Sequence, residues 1–143
     1  MNHPHRADAN SSVSNETRLP DIKLIGEVAR EIGLEPKTIR FYEKVRLVLP
    51  RKHGRLRIFY PEHVDRLLAI KKLREYGLSL AKIRTIILVE GGLGLATFSS
   101  PTIRSILAEQ LAEMNKHHAL VTEHITDLQQ RLKCDNERLE ITI

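Results

Sequence analysis

A single cysteine, Cys134, rules out an internal disulfide and any cysteine-rich zinc or iron–sulfur site within one chain. Tryptophan is absent and aromatics make up only 4% of the residues, so the core has to be built mainly from Leu, Ile and Val. No apolar run reaches the roughly 18 residues of a membrane span. The polar start MNHPHRADANSSVSNETR also lacks the apolar centre of a signal peptide, and a cytoplasmic protein with no membrane partner is expected. Paired carboxylates, a P-loop, a dinucleotide fingerprint and a Ser/His/Asp arrangement are all missing at usable spacing. No enzyme activity, catalytic residue or cofactor is therefore expected.

Cations are plentiful, and they are unevenly spread. Residues 1–20 carry no net charge, residues 21–90 hold 16 basic and 9 acidic side chains, and residues 91–143 hold 5 and 7. The excess sharpens at Lys37, Arg40, Lys44, Arg46, Arg51, Lys52, Arg55 and Arg57, which have only Glu43 among them as a countercharge. A surface of that sign attracts phosphate, and each phosphate it neutralises releases a counterion.

Hydrophobic spacing divides the 143 residues into a head and a tail. Residues 1–20 are polar and read as a flexible arm. Ile25, Val28, Ala29 and Ile32 recur at helical spacing, predicting a short helix over about 26–32 that Gly33 stops. Pro36 suits the first position of a second helix, running to Lys44 or Val45 and carrying Lys37, Thr38, Arg40 and Tyr42 alongside Ile39 and Phe41. Two short helices joined by a tight turn form a helix-turn-helix. RKHGRLRIFY then predicts a basic hairpin turning at Gly54, with Leu56, Ile58 and Phe59 packing inward and Arg55 and Arg57 at alternate positions. Pro61 opens a third helix, and Ser79 is a candidate cap for a fourth. The glycine-containing stretch 91–101 reads as a loop whose Leu93, Leu95 and Phe98 either pack on the head or close part of a ligand pocket.

From Pro101 one long helix is expected, opened by Pro101 in its first turn or capped by Thr102. Leu107, Leu111, Met114, His118, Val121, Ile125, Leu128 and Leu132 alternate at four and three, which is the seam of a coiled coil interrupted only by His118. The helix cannot bury this stripe against itself, so a second copy is the expected partner. The dimerising helix is placed at 102–136, with a short tail at 137–143. His117 and His118 are adjacent and diverge, while His117 and His124 stand seven apart. Neither pair has the i, i+4 spacing that favours chelation, and no metal site is expected. Cys134 could join a histidine only across a dimer.

IGEVAREIGLEPKTIRFYEKVRLVLP (residues 25–50), RLRIFYPEHVDRL (55–67) and LREYGLSLAKI (73–83), in this order, resemble the MerR family of bacterial transcriptional regulators over about 60 residues. The resemblance implies a mainly α fold, a winged helix-turn-helix head (21–90) followed by an antiparallel dimerising coiled-coil helix. It implies a sequence-specific homodimer that binds double-stranded DNA and distorts a promoter, with RNA polymerase as a further partner. Lys37, Thr38 and Arg40 would reach base edges or the adjoining backbone, Tyr42 a phosphate, and Arg51, Arg55 and Arg57 the flanking backbone. Metal-responsive and redox members carry cysteines that this chain lacks, and the effector stays undefined. The chain departs from the family at Arg46, where a glycine is usual, at Arg55-Leu56-Arg57 in place of Gly-Tyr-Arg, and at His63 in place of an acid. An architectural or effector-independent DNA-binding protein is the alternative.

Overall fold

A computed structural model describes residues 21–141. The expected arm, residues 1–20, lies outside them, as do the last two residues of the expected tail.

Lys23–Leu24 (β1) leads directly into Ile25–Ile32 (α1), and Pro36–Lys44 (α2) follows after a three-residue turn. Arg51–His53 (β2) and Leu56–Phe59 (β3) form the hairpin, followed by Pro61–Glu75 (α3), Leu80–Glu90 (α4), a 3-10 turn at Leu95–Ser99, and Pro101–Ile141 (α5). The strands make one antiparallel sheet in the order β1-β3-β2. Lys23 lies opposite Phe59, and Ile58 pairs with both Leu24 and Arg51. β1 is too short for period-two alternation to reveal it. It nevertheless seats the wing against the start of α1 by pairing the inner edge of β3.

The core is aliphatic, as the composition requires. Val28, Ile39, Leu67, Ile70, Leu73, Ile83 and Ile86 are all buried, with Phe59 and Tyr42 supplying its aromatic surface. Each fully buried side chain of this size contributes about 1.5–3 kcal/mol through removal from water. Leu56 is not part of it. The residue sits just past the Gly54 turn and is 54% exposed, so inward packing by β3 rests on Phe59 with Ile58 half-buried.

Donors from neighbouring helices hold the carbonyl ends of the short helices, where backbone oxygens lack intrahelical partners. The Lys71 ammonium of α3 donates to the Ile32 carbonyl at 2.6 Å. The Arg84 guanidinium of α4 donates to the Val45 carbonyl just beyond α2. The Gln110 side chain of α5 donates to the Tyr76 carbonyl at 2.7 Å. These bonds tie α1, α2 and α3 to elements distant in sequence. Ser79 does cap α4, its hydroxyl oxygen accepting from the Lys82 amide.

The loop after α4 packs on the head. Leu93 is buried, the Leu95 amide donates to the Asp65 carboxylate at 3.2 Å, and a Cβ at Gly94 would stand 2.2 Å from that carboxylate. Ser100 caps α5, accepting from the Ile103 amide and donating to Glu90, and Pro101 occupies the first turn. α5 has 41 residues, a length of about 61 Å. It continues through Ile141 rather than ending near 136, because no proline or glycine interrupts Cys134–Ile141. Ile103 anchors its first turn in the core, and residues 111–140 are exposed.

Two local features carry measurable consequences. Arg46 adopts φ 61°, a left-handed conformation in which a side chain crowds the backbone. Arg46→Gly is expected to raise unfolding stability by about 0.5–1 kcal/mol, once the entropy glycine adds to the unfolded chain is subtracted. Urea denaturation reads this directly, and a lower stability would contradict it.

His63 occupies the third position of α3, and its Nδ1 accepts the Tyr60 amide at 2.9 Å, which requires an unprotonated nitrogen. Burial holds this imidazole below its ordinary value of 6.5, Glu62 opposes the shift, and Arg66 and Arg51 reinforce it. The unfolded chain therefore takes up a proton that the folded one refuses, and stability falls as pH drops from 6.5 through the lower folded value. Glutamine can supply the same capping acceptor without titrating. His63→Gln is thus expected to flatten the loss of urea resistance between neutral and mildly acidic buffer, and an equally steep loss would remove His63 as its source.

Candidate nucleic-acid interface

Helical geometry decides what α2 can offer to a ligand. Ile39 and Tyr42, three apart, both face the core, with exposures of 0% and 6%. Lys37, Arg40, Phe41 and Lys44 consequently share the opposite face, and all four are exposed. Thr38 is half-buried at the edge of this stripe.

The Tyr42 ring belongs to the core, which leaves only its hydroxyl end for the phosphate role expected of it. Its neighbour Phe41, read from the sequence as an apolar companion of Ile39, stands outward at 46% exposure. The i, i+3 spacing of Ile39 and Tyr42 carried this signal. Lys44 was missed as well, although it lies seven residues after Lys37 on the same stripe.

The wing lies beside this face. Arg40 of α2, Arg30 of α1 and the wing residues Arg55, Leu56 and Arg57 line an open groove of about 450 Å³, with Glu27 as its acidic member. Arg55 is exposed at the hairpin turn. Arg51 is also exposed, its guanidinium 5.3 Å from the centre of the Tyr60 ring, a cation–π contact that orients it. Arg57 differs from both. Its guanidinium is hydrogen-bonded to the Glu43 carboxylate, whose other oxygen lies 3.7 Å from the Lys52 ammonium. Glu43 is nearly buried and so acts as the clasp between α2 and the wing. Charge-assisted bonds of this kind are short and directional, and they define the angle between hairpin and helix.

Lys37 is paired with Glu35 at 3.0 Å, but both side chains are largely solvated and such a pair is easily exchanged for a phosphate. No ion pair among the described residues engages Arg40, Lys44 or Arg55. Of the seven residues expected at the site, Arg40, Arg55 and Arg57 line one groove, Lys37 shares the outward stripe of α2 with Arg40, and Thr38 lies at its edge. Arg57 is bonded to Glu43 and holds the wing, and the Tyr42 ring packs in the core. Among the described residues, no group of three or more His, Cys, Asp or Glu side chains converges as a metal site, and no helix is long and apolar enough to cross a membrane.

The family model for MerR HTH family regulatory proteins matches residues 24–89, the segment from β1 to the end of α4. The chain is 32% identical over 108 residues to the HTH-type transcriptional regulator CueR of Yersinia pestis, covering 74% of this chain and 70% of that protein. It is 40% identical over 67 residues to the HTH-type transcriptional regulator GlnR of Bacillus anthracis, covering 46% of this chain and 52% of that relative, so it spans about half of GlnR. The crystal structure of a MerR-family transcriptional regulator from Bacillus cereus superposes with a TM-score of 0.59 over 78% of this chain and 83% of that one. At 22% identity this likeness speaks for the fold. The match to the family model and the extended match to CueR together establish that the chain belongs to the MerR family of helix-turn-helix regulatory proteins.

Proposed function

We infer that this protein is a sequence-specific transcriptional regulator that binds double-stranded DNA as a homodimer. The observation that carries the reading is the outward stripe Lys37, Arg40, Phe41 and Lys44 on a helix whose other face is locked in the core. A helix of this width enters the major groove, where arginine and lysine reach guanine and an apolar ring meets the thymine methyl. Thr38 borders that contact, and Arg51 and Arg55 reach the flanking phosphates, while Arg57 keeps the wing in place for them.

The tail supports a dimer. Leu111, Met114, Val121, Ile125, Leu128 and Leu132 of α5 are between 39% and 64% exposed in the single chain, an apolar stripe that a second helix would cover. In this reading residues 21–90 read DNA, 91–101 couple head to tail, and 102–136 dimerise. Two heads held at a set separation read two half-sites, and the same rigidity lets the dimer bend or untwist a promoter and so act on RNA polymerase.

Binding-site selection from a random duplex pool, followed by affinity measurement at physiological salt, tests the reading. An inverted repeat is expected. Weak binding that is uniform across unrelated duplexes would favour an architectural protein instead. Arg40→Ala is expected to weaken binding to the selected site at least about tenfold, whereas Tyr42→Phe, which keeps the core ring, leaves it within about twofold. An unchanged affinity for Arg40→Ala would remove Arg40 from the interface.

A further inference from the structure

We propose that dimerisation of this protein is linked to protons through a cluster of six histidines gathered at the twofold axis of an antiparallel α5 pair. The proposal rests on the homodimer reading above and adds a register and a chemistry to it.

The register follows from the symmetry of the seam itself. When α5 is laid against an antiparallel copy, one alignment matches all eight seam positions. Leu107 meets the partner's Leu132, Leu111 the partner's Leu128, Met114 the partner's Ile125, and His118 the partner's Val121. Shifting by a heptad leaves apolar positions unpaired at both ends. The aligned seam has its midpoint between Ala119 and Leu120, so the two copies of His118 flank the axis. His117 and His124 occupy the row bordering one side of the seam, and in this register His117 lies beside the partner's His124.

Within the seam and its two bordering rows the charges around these imidazoles are one-sided. The two rows bordering the seam contain Ala108, Asn115, Thr122 and Gln129 on one side, and Gln110, His117, His124 and Arg131 on the other. Neither row has a carboxylate. Between Leu107 and Leu132 the acids Glu109, Glu113, Glu123 and Asp127 all lie on the outer rows, and Asp127 is already bonded to Arg131 at 2.9 Å. The head adds nothing here, since residues 111–140 are exposed along their whole length. The Thr122 hydroxyl donates to the His118 backbone carbonyl at 2.9 Å and is directed along its own helix. Protonating the histidines of a dimer would therefore gather like charges about the axis, two of them inside an apolar seam, with Glu113, four residues before His117 and bordering the same surface hollow as His117 and His118, as the nearby carboxylate. Imidazole changes charge between about pH 5 and 8. Acid accordingly favours separate chains, and neutral or alkaline conditions favour the dimer.

Sedimentation of the full chain at about pH 7.5 and pH 5.5 tests this, with His63→Gln throughout so that the acid sensitivity of the head does not enter. The dimer dissociation constant is expected to rise at least about tenfold on acidification. With H117Q, H118L and H124Q combined, the protein is expected to remain dimeric at both pH values, its dissociation constant changing less than about twofold. H117Q with H124Q alone should remove part of the dependence, because those rows meet only in the antiparallel pair. A dissociation constant that does not respond to pH, or a response that survives in the triple variant, would overturn the proton linkage while leaving the dimer intact. A monomer at micromolar concentration and neutral pH would instead overturn the dimer reading and the linkage with it.

Discussion

The burial of Ile39 and Tyr42 is the constraint from which the functional surface follows. α2 is only nine residues long, and these two side chains are its anchors in the core. With 3.6 residues per turn, anchoring 39 and 42 leaves no freedom in the direction taken by 37, 40, 41 and 44. A rotation large enough to expose Tyr42 would put Arg40 against aliphatic side chains, where an unpaired guanidinium is costly. The interface is thus defined from the inside by packing and only secondarily by its own charges.

Around this anchor the other elements fix angles. Glu43, one step beyond Tyr42, turns toward the wing and holds Arg57 and Lys52, so hairpin and helix move as one unit. β1 secures the far side of β3, and the Arg84 guanidinium holds the carbonyl end that follows α2. The packed Leu93–Ser100 segment and the Gln110 bond then carry that rigidity into α5. A separation between two heads has meaning for DNA only when such joints are stiff.

Much of this was legible in the residues. Period-3.6 spacing and Pro36 located α1 and α2, the seam located α5, and the order of the segments identified the family. The failures share one physical origin, which is that local patterns do not say which neighbours compete for a side chain. Arg57 looked as free as Arg55 until the fold brought Glu43 beside it. Leu56 looked like a core residue by alternation, yet it lies too near the turn to reach the head. β1 has only two residues and exists because β3 offers it an edge. The Phe41–Tyr42 exchange is the instructive case, because i, i+3 spacing from Ile39 already favoured Tyr42 for the core. His63 looked like the loss of an acid, and in the fold its Nδ1 accepts the Tyr60 amide at the start of α3.

Photocrosslinking tests the orientation of α2 most directly. A benzophenone side chain introduced in place of Phe41 should crosslink to a duplex carrying the selected inverted repeat. The same group in place of Leu88, an exposed residue of α4, should not. Crosslinking from position 88 with none from position 41 would contradict the account, since it would mean that DNA meets a different face of the head.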